Sequence, residues 1–201
     1  MIISHIELQK CLMHPREWVA SKKNKESHGW SLGYSQALKL AIRHYHKTGS
    51  ERSAREYLKE VIRRNKFKNK TRIDELLVDQ DLYIKWHKES STIVADSFVK
   101  INLGVGGFLE LGGLIGRVDI TTDGYQGILF GTPVPDWKTQ LRIPLIQRAL
   151  SEQYGRPLTE VAVGFQRLAG GESEVVTVPD GDVEEAERAF KALGERVRRL
   201  T

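Results

Sequence analysis

Two neighbouring stretches decide the fold: LGGLIGRVDIT at residues 111–121 and GYQGILFGT at residues 124–132. Both are rich in β-branched and apolar residues, which favours strands. Between them, Thr122 is followed by Asp123 and Gly124, and an Asp-Gly pair is a strong signal for a tight hairpin turn. Pro133 and Pro135 end the second stretch, because proline cannot continue the hydrogen-bonded ladder of a central strand. These residues therefore predict a β-hairpin.

The segments on either side of the hairpin complete an α+β pattern. Further strands are predicted at 93–103, 160–168 and 173–179, and further helices at 141–154 and from Asp182 onward. Gly155 is a typical residue just past a helix end. The first part of the chain has helical spacing instead, and its predicted helices cover 4–20, 31–46, a segment from Ser50 or Ser53, and a segment from Thr71.

This order of elements predicts a single α+β domain. Residues 1–90 form a basic helical lobe, and residues 91–201 form a core with a mixed sheet of about five strands flanked by helices. Ser4 and Glu7 have the spacing of a capping box, so Ser4 is expected to begin the first helix, while Pro15 indicates a break or a new turn within it.

Positive charge is concentrated in the first part of the chain. The 201 residues include 31 Lys and Arg and 26 Asp and Glu, for a net charge of +5. The densest basic stretch runs from Arg52 to Arg72 and contains the acid-free string RRNKFKNKTR. Such a surface attracts polyanions, since each neutralised phosphate releases counterions. We therefore expect DNA contacts from Arg63, Arg64, Lys66, Lys68, Lys70 and Arg72.

Composition excludes several other classes of protein. The chain has one Cys, Cys11, so it cannot form an internal disulfide or supply several thiolates to a metal, and we expect Cys11 to be a small buried apolar residue. We expect no membrane-spanning segment, no membrane binding and no secretory signal, and hence a cytoplasmic location. The glycine-rich stretches lack the residues that complete a nucleotide-binding loop.

The hairpin and its surroundings resemble the PD-(D/E)XK nuclease superfamily, especially its branch of RecB-type exonucleases and CRISPR-associated RecB-like nucleases. ISHIELQKCLMHPREW resembles the opening helix of that branch, and GYSQALKLAIRHY is similar to a helix in which a His contributes to the metal site. Gln36 stands at the position of this His. Some members use the Cys of the opening helix to hold an iron–sulfur cluster, and with Cys11 alone we expect none here.

The resemblance implies a metal site that includes Asp119. In LGGLIGRVDIT the Asp occupies the position that binds Mg²⁺ or Mn²⁺ in the family, and the next strand should carry an acid and a Lys. Two registers are open. If ILFGT is the strand, Phe130 and Thr132 replace the acid and the Lys, and the site is degenerate. If Asp-Trp-Lys-Thr is the motif, Asp136 is the second metal ligand and Lys138 orients the attacking water.

The resemblance also predicts a DNA-facing helix after the hairpin. LRIPLIQRALSEQY is similar to the Gln-containing helix that lies along DNA in the family, so Arg142, Gln147 and Arg148 are candidate contacts. Trp137, in a Pro-flanked loop beside Lys138, is expected to have a surface role.

Two hypotheses for the function follow. In the first, the chain is a DNA-handling protein with a RecB-like fold and a degenerate active site, which binds DNA or acts as a scaffold with a protein partner in a larger complex for repair, recombination or antiviral defence. In the second, it is an active Mg²⁺- or Mn²⁺-dependent DNA nuclease that uses Asp119, Asp136 and Lys138.

Overall fold

A computed structural model describes residues 1–23 and 32–201. Within these ranges the chain folds into seven α-helices and a six-stranded mixed sheet, so the predicted α+β class is confirmed. In chain order the elements are β1 (Ile2–Ser4), α1 (Leu8–Met13), α2 (Pro15–Lys23), α3 (Tyr34–Thr48), α4 (Glu51–Arg64), α5 (Lys70–Glu89), β2 (Ile93–Gly104), β3 (Glu110–Thr121), β4 (Gly124–Phe130), α6 (Arg142–Tyr154), β5 (Val161–Gln166), β6 (Glu174–Val176) and α7 (Asp180–Arg198). The predicted helix start at Ser31 lies outside the described residues.

Strand β3 is the centre of the sheet. It pairs antiparallel with β2 and β4 and parallel with β1, while β4 pairs parallel with β5 and β5 pairs antiparallel with β6. The β3–β4 pair is the predicted hairpin, and its register places Asp119 opposite Gln126. The parallel β4–β5 pair is connected through α6, as a crossover between parallel strands requires.

The first predicted helix is wrong at its start. Residues Ile2–Ser4 form β1, and Ser4 belongs to this strand, so the first helix begins at Leu8. The reason is tertiary, because Ile3 is fully buried and pairs with Leu111 of β3. The break predicted at Pro15 is present, since α2 begins there, at the helix position that proline favours.

Local sequence explains where the next helices start. The hydroxyl of Ser50 accepts a hydrogen bond from the Ser53 amide at 3.2 Å and caps α4. The side chain of Asn69 accepts one from the Arg72 amide at 3.1 Å and caps α5, so Asn69 takes the role that the sequence suggested for Thr71.

The sheet lies between two helical layers. One apolar cluster packs α1, α2, α6 and α7 against the sheet and includes Leu129, and the other packs α3, α4 and α5 against it and includes Ile128 and Phe130. Alternate residues of β4 therefore fill opposite layers, as the period of a strand requires. Cys11 is fully buried, as expected, and burial raises the pKa of its thiol to about 11. No helix in the described parts of the chain is both long enough and apolar enough to cross a membrane.

Candidate functional site

The predicted metal ligand Asp119 is held by an arginine of its own strand. Asp119 is 4% exposed, and Arg117, two residues earlier on β3, is fully buried. The guanidinium donates from Nε to Oδ1 at 2.5 Å and from Nη2 to Oδ2 at 2.7 Å. Burial raises the pKa of the Asp119 carboxyl, and the two hydrogen bonds from Arg117 oppose that shift. Both oxygens that a cation would need are therefore engaged in a bidentate ion pair.

Arg117 also connects the sheet to the helices. Its Nη1 donates to Tyr83 Oη at 2.7 Å and to Gln166 Oε1 at 3.0 Å. His46 Nε2 lies 2.7 Å from the same tyrosine oxygen, and the rings of His46 and His87 are 4.8 Å apart. Burial lowers the pKa of His46 to about 3. One signal for this network is visible in the sequence: Arg117 and Asp119 place opposite charges at positions i and i+2 of a buried strand.

The end of β4 carries an aromatic residue, Phe130, at the position where the resemblance implied an acid. The strand runs through Phe130, so ILFGT is the stretch that continues the sheet. Phe130 packs directly over the backbone of Gly116 on β3, since a Cβ added there would lie 2.8 Å from its Cε2 and closer still to its Cδ2. Gln36 of α3 and Phe130 line the same cavity. The two residues that the resemblance aligned with metal positions thus line one cavity, and Phe130 carries no metal-binding group.

The Asp-Trp-Lys-Thr motif lies outside the sheet. Asp136 is exposed and precedes a single 3-10 turn, Trp137–Thr139. Lys138 Nζ forms an ion pair with Glu174 Oε1 at 2.9 Å, whereas Asp119 is paired with Arg117. The surface role expected for Trp137 is wrong, because this residue is 2% exposed and its ring packs edge-on against Phe165 at 5.0 Å.

The structure does not assemble a metal centre from these residues. Among residues 1–23 and 32–201, no group of three or more His, Cys, Asp and Glu side chains is arranged to hold a metal ion. The donors present therefore do not fit the Mg²⁺ or Mn²⁺ site that the resemblance implies.

The last part of the basic stretch forms the turn between α4 and α5 and the start of α5. Lys66, Lys68 and Lys70 are exposed, and none has an ion-pair partner in the described part of the chain. We refer to residues 66–70 as the lysine turn. Phe67 stacks on Tyr34 with ring centroids 4.3 Å apart, and the Asn69 amide donates to Tyr34 Oη at 3.2 Å. These contacts fix the turn against the start of α3.

The other predicted basic contacts are partly neutralised. Arg63 and Arg64 lie 2.7 Å and 2.6 Å from Glu60 Oε1, and Arg72 lies 3.7 Å from Glu75. These exposed pairs stabilise little, but they reduce the positive potential that a phosphate would meet. The lysines of the turn are therefore the strongest candidates for phosphate contact in this region.

The three residues of α6 that were predicted to contact DNA occupy different environments in the structure. Gln147 is fully buried, donates to the carbonyls of Leu158 and Val178, and accepts from the Val178 amide. The prediction that Gln147 contacts DNA does not fit this position, since its amide holds backbone segments together inside the protein. Arg148 lies within ion-pair distance of Glu152 and Glu187, while Arg142 is half-buried and lines the cavity of Gln36.

Comparison with known proteins gives no family for this chain. No family model matches it, and no curated protein matches it. Among solved structures it is similar to a protein from Eubacterium rectale described as a "putative exonuclease", with a TM-score of 0.48, 10% identity, and coverage of 81% of this chain and 67% of that chain. It is also similar to the protein SSO0001, with a TM-score of 0.36, 12% identity, and coverage of 96% and 87%. Similarities this low carry no argument about function.

Proposed function

We propose that this protein is a DNA-binding protein with a nuclease-like fold that has lost the catalytic site. One observation carries the proposal: Gln36 and Phe130, at two positions where a RecB-like enzyme would place metal ligands, line one cavity. Hydrolysis of a phosphodiester by this family needs a cation held by oxygen ligands, and the phenyl ring at the position of the acid supplies none.

The state of Asp119 supports the same proposal. A metal bound there would compete with Arg117 for the carboxylate, and displacement of Arg117 would leave a buried guanidinium without its partner. Breaking a buried ion pair in this way costs about 3–5 kcal/mol. The alternative nuclease would further require Asp136 and Lys138 to leave their present positions and approach Asp119.

DNA contact is assigned to the lysine turn. Lys66, Lys68 and Lys70 present three charges that have no acidic partner in the described residues, on a turn whose backbone is fixed by Tyr34. Contacts from lysine to phosphate position a protein on DNA without reading its sequence. We therefore propose DNA binding of low sequence specificity.

A role in repair, recombination or antiviral defence, together with a protein partner in a larger complex, belongs to the same proposal. It rests on the resemblance to RecB-like nucleases and on charge asymmetry, because the chain from residue 73 onward is acidic overall while the part before it is basic. An excess of acidic residues in the second part of the chain suits a partner with a basic surface.

The decisive experiment measures DNA affinity as a function of salt. We expect a fluorescently labelled short duplex to bind the full chain with a strong salt dependence. Changing Lys66, Lys68 and Lys70 to Ala should lower the slope of log K against log salt by about 2.7, the value for three lost phosphate contacts on B-DNA. A control variant with Lys10, Lys47 and Lys100 changed to Ala removes the same charge from exposed positions elsewhere and should leave the slope nearly unchanged.

A cleavage assay on the same samples separates the two hypotheses. We expect no difference between reactions containing Mg²⁺ or Mn²⁺ and reactions containing EDTA. Metal-dependent cutting that Asp136→Asn and Lys138→Ala both abolish would establish the nuclease instead. If the lysine-turn variant and its control bind DNA alike, the assignment of the DNA contact is wrong.

A further inference from the structure

The cavity that contains Gln36 and Phe130 has a composition unlike a metal site. It has a volume of about 380 Å³, within the range of small-molecule pockets. Its polar lining consists of Ser4, His5, Gln36, Lys39 and Arg142. Of the described residues that line it, none is an Asp or a Glu. We call it the His5 cavity.

His5 lines this cavity as a buried hydrogen-bond donor. The residue is 3% exposed, and its Nε2 lies 3.2 Å from the carbonyl oxygen of Leu114, so Nε2 carries the hydrogen of that bond. The other ring nitrogen, Nδ1, is buried and has no hydrogen-bond partner in the described part of the chain. A buried polar atom without a partner costs free energy.

Two cations share the cavity with His5. Neither Lys39 of α3 nor Arg142 of α6 has an acidic partner within ion-pair distance in the described residues. Arg142 Nε is buried without a hydrogen-bond partner. Burial lowers the pKa of both Lys39 and Arg142, because removing a charge from water without pairing it disfavours the charged form. An anion in the cavity would supply the missing counter-charge and favour the charged forms of Lys39 and Arg142.

The remaining wall is aromatic. Phe98, Phe130 and Phe165 line the cavity together with Leu129. The rings of Phe98 and Phe130 are 6.2 Å apart, and the guanidinium carbon of Arg142 lies 5.4 Å from the ring centroid of Phe165. A ligand that fills the cavity thus meets both cations and aromatic rings. Aromatic walls of this kind favour a flat ring.

We propose that the His5 cavity binds a phosphate monoester that carries a flat ring, which is the chemistry of a mononucleotide. Arg142 and Lys39 would contact the phosphate oxygens through charge-assisted hydrogen bonds, and the phenylalanine wall would pack against the base. No metal is needed, because the two cations neutralise the phosphate directly. The ligand is a free nucleotide or the 5′-phosphorylated end of a DNA strand, which presents the same groups.

The proposal is tested by calorimetric titration of the full chain with dAMP. We expect deoxyadenosine, which lacks the phosphate and its charged hydrogen bonds, to bind at least about tenfold more weakly than dAMP. We expect the same of inorganic phosphate, which lacks the ring and its apolar contacts. Lys39→Met and Arg142→Met keep the apolar stems, and each should weaken dAMP by a similar factor. Lys47→Met, at an exposed position of the same helix as Lys39, is the matched control and should change nothing.

Two results would overturn the proposal. One is the absence of dAMP binding at millimolar concentration. The other is equal dAMP affinity in Lys39→Met, Arg142→Met and the control. Thermal melting verifies that all three variants are folded. Short DNA strands with and without a 5′-phosphate distinguish a strand end from a free nucleotide as the ligand. If the ligand is a strand end, the 5′-phosphate should strengthen binding to the wild-type chain but not to Arg142→Met. The lysine-turn variant keeps the cavity intact, so failure of duplex binding and failure of dAMP binding are separate outcomes.

Discussion

A carboxylate that binds a divalent cation must have oxygen lone pairs free to face the metal. Both oxygens of Asp119 already accept a hydrogen bond from the guanidinium of Arg117 inside the protein, so a cation would compete with Arg117 for them. The sequence was sufficient to place Asp119 on a strand. It could not indicate the partners of Arg117, because Tyr83 and Gln166 are 34 and 49 residues away along the chain.

The Asp119 ion pair leads to a prediction about stability. Asp119→Ala leaves the buried guanidinium of Arg117 without a counter-charge, so we expect the free energy of unfolding to fall by about 3–5 kcal/mol. The double variant Arg117→Met with Asp119→Leu removes both charges and should lose less than Asp119→Ala alone. Urea unfolding monitored by circular dichroism measures these differences.

Asp74→Ala is the control for that series, since Asp74 is exposed on α5 and should contribute less than about 0.5 kcal/mol. If Asp119→Ala instead leaves stability unchanged, Asp119 is not held in the ion pair, and a role in binding an external group becomes the better explanation.

Most of the strands and helices follow from local sequence signals, and strand β1 is the exception. The Asp-Gly turn and the proline pair predicted the β3–β4 hairpin. Gly155 predicted the end of α6, and its backbone has the left-handed conformation that favours glycine there. Strand β1 has three residues, too few to show alternation. It exists because Ile3 is buried against β3, a long-range contact that no local pattern contains.

The contact between β3 and β4 predicts the effect of a single methyl group. Gly116→Ala would place a Cβ within the ring of Phe130, so the ring or the strand must move. Overpacking of this kind costs about 1–3 kcal/mol. We expect urea unfolding to show this loss, and Phe130→Leu introduced together with Gly116→Ala to recover part of it.

Gly104→Ala is the matched control for Gly116→Ala. Gly104 also lies in the sheet, but a Cβ there would be 3.9 Å from its nearest neighbour, an ordinary contact. Its effect should stay within about 0.5 kcal/mol of zero. Equal losses in the two variants would mean that the cost comes from the strand backbone and not from Phe130.

At the scale of the whole molecule, one polar network connects the helical layer to the sheet. His46 of α3 contacts Tyr83 of α5, which contacts Arg117 of β3, which in turn contacts Gln166 of β5. His46 and His87 lie far apart along the chain, and no local pattern pairs them. In the fold their rings are 4.8 Å apart, because α3 and α5 pack side by side.

This network predicts how the stability of the fold depends on pH. Burial is the largest cause that lowers the pKa of His46 to about 3 from its ordinary value of 6.5, and the charges of His87 and Arg117 act in the same direction. A lowered pKa means that the folded state holds the neutral ring. Its contribution to stability is therefore complete above about pH 6.5 and is lost progressively as the pH falls toward 3. The expected loss between about pH 7.5 and pH 5 is about 2 kcal/mol from this group alone.

His46→Gln isolates that contribution, since an amide can still pair with the Tyr83 hydroxyl but does not titrate. We expect this variant to lose less stability than the wild-type chain between about pH 7.5 and pH 5, whatever its stability at the higher pH. Burial also lowers the pKa values of His5 and His87, so a smaller dependence of the same sign should remain. His14→Gln, at an exposed position, should follow the wild-type curve. If His46→Gln follows it too, the ring of His46 is reached by water and does not hold α3, α5 and the sheet together as a neutral group.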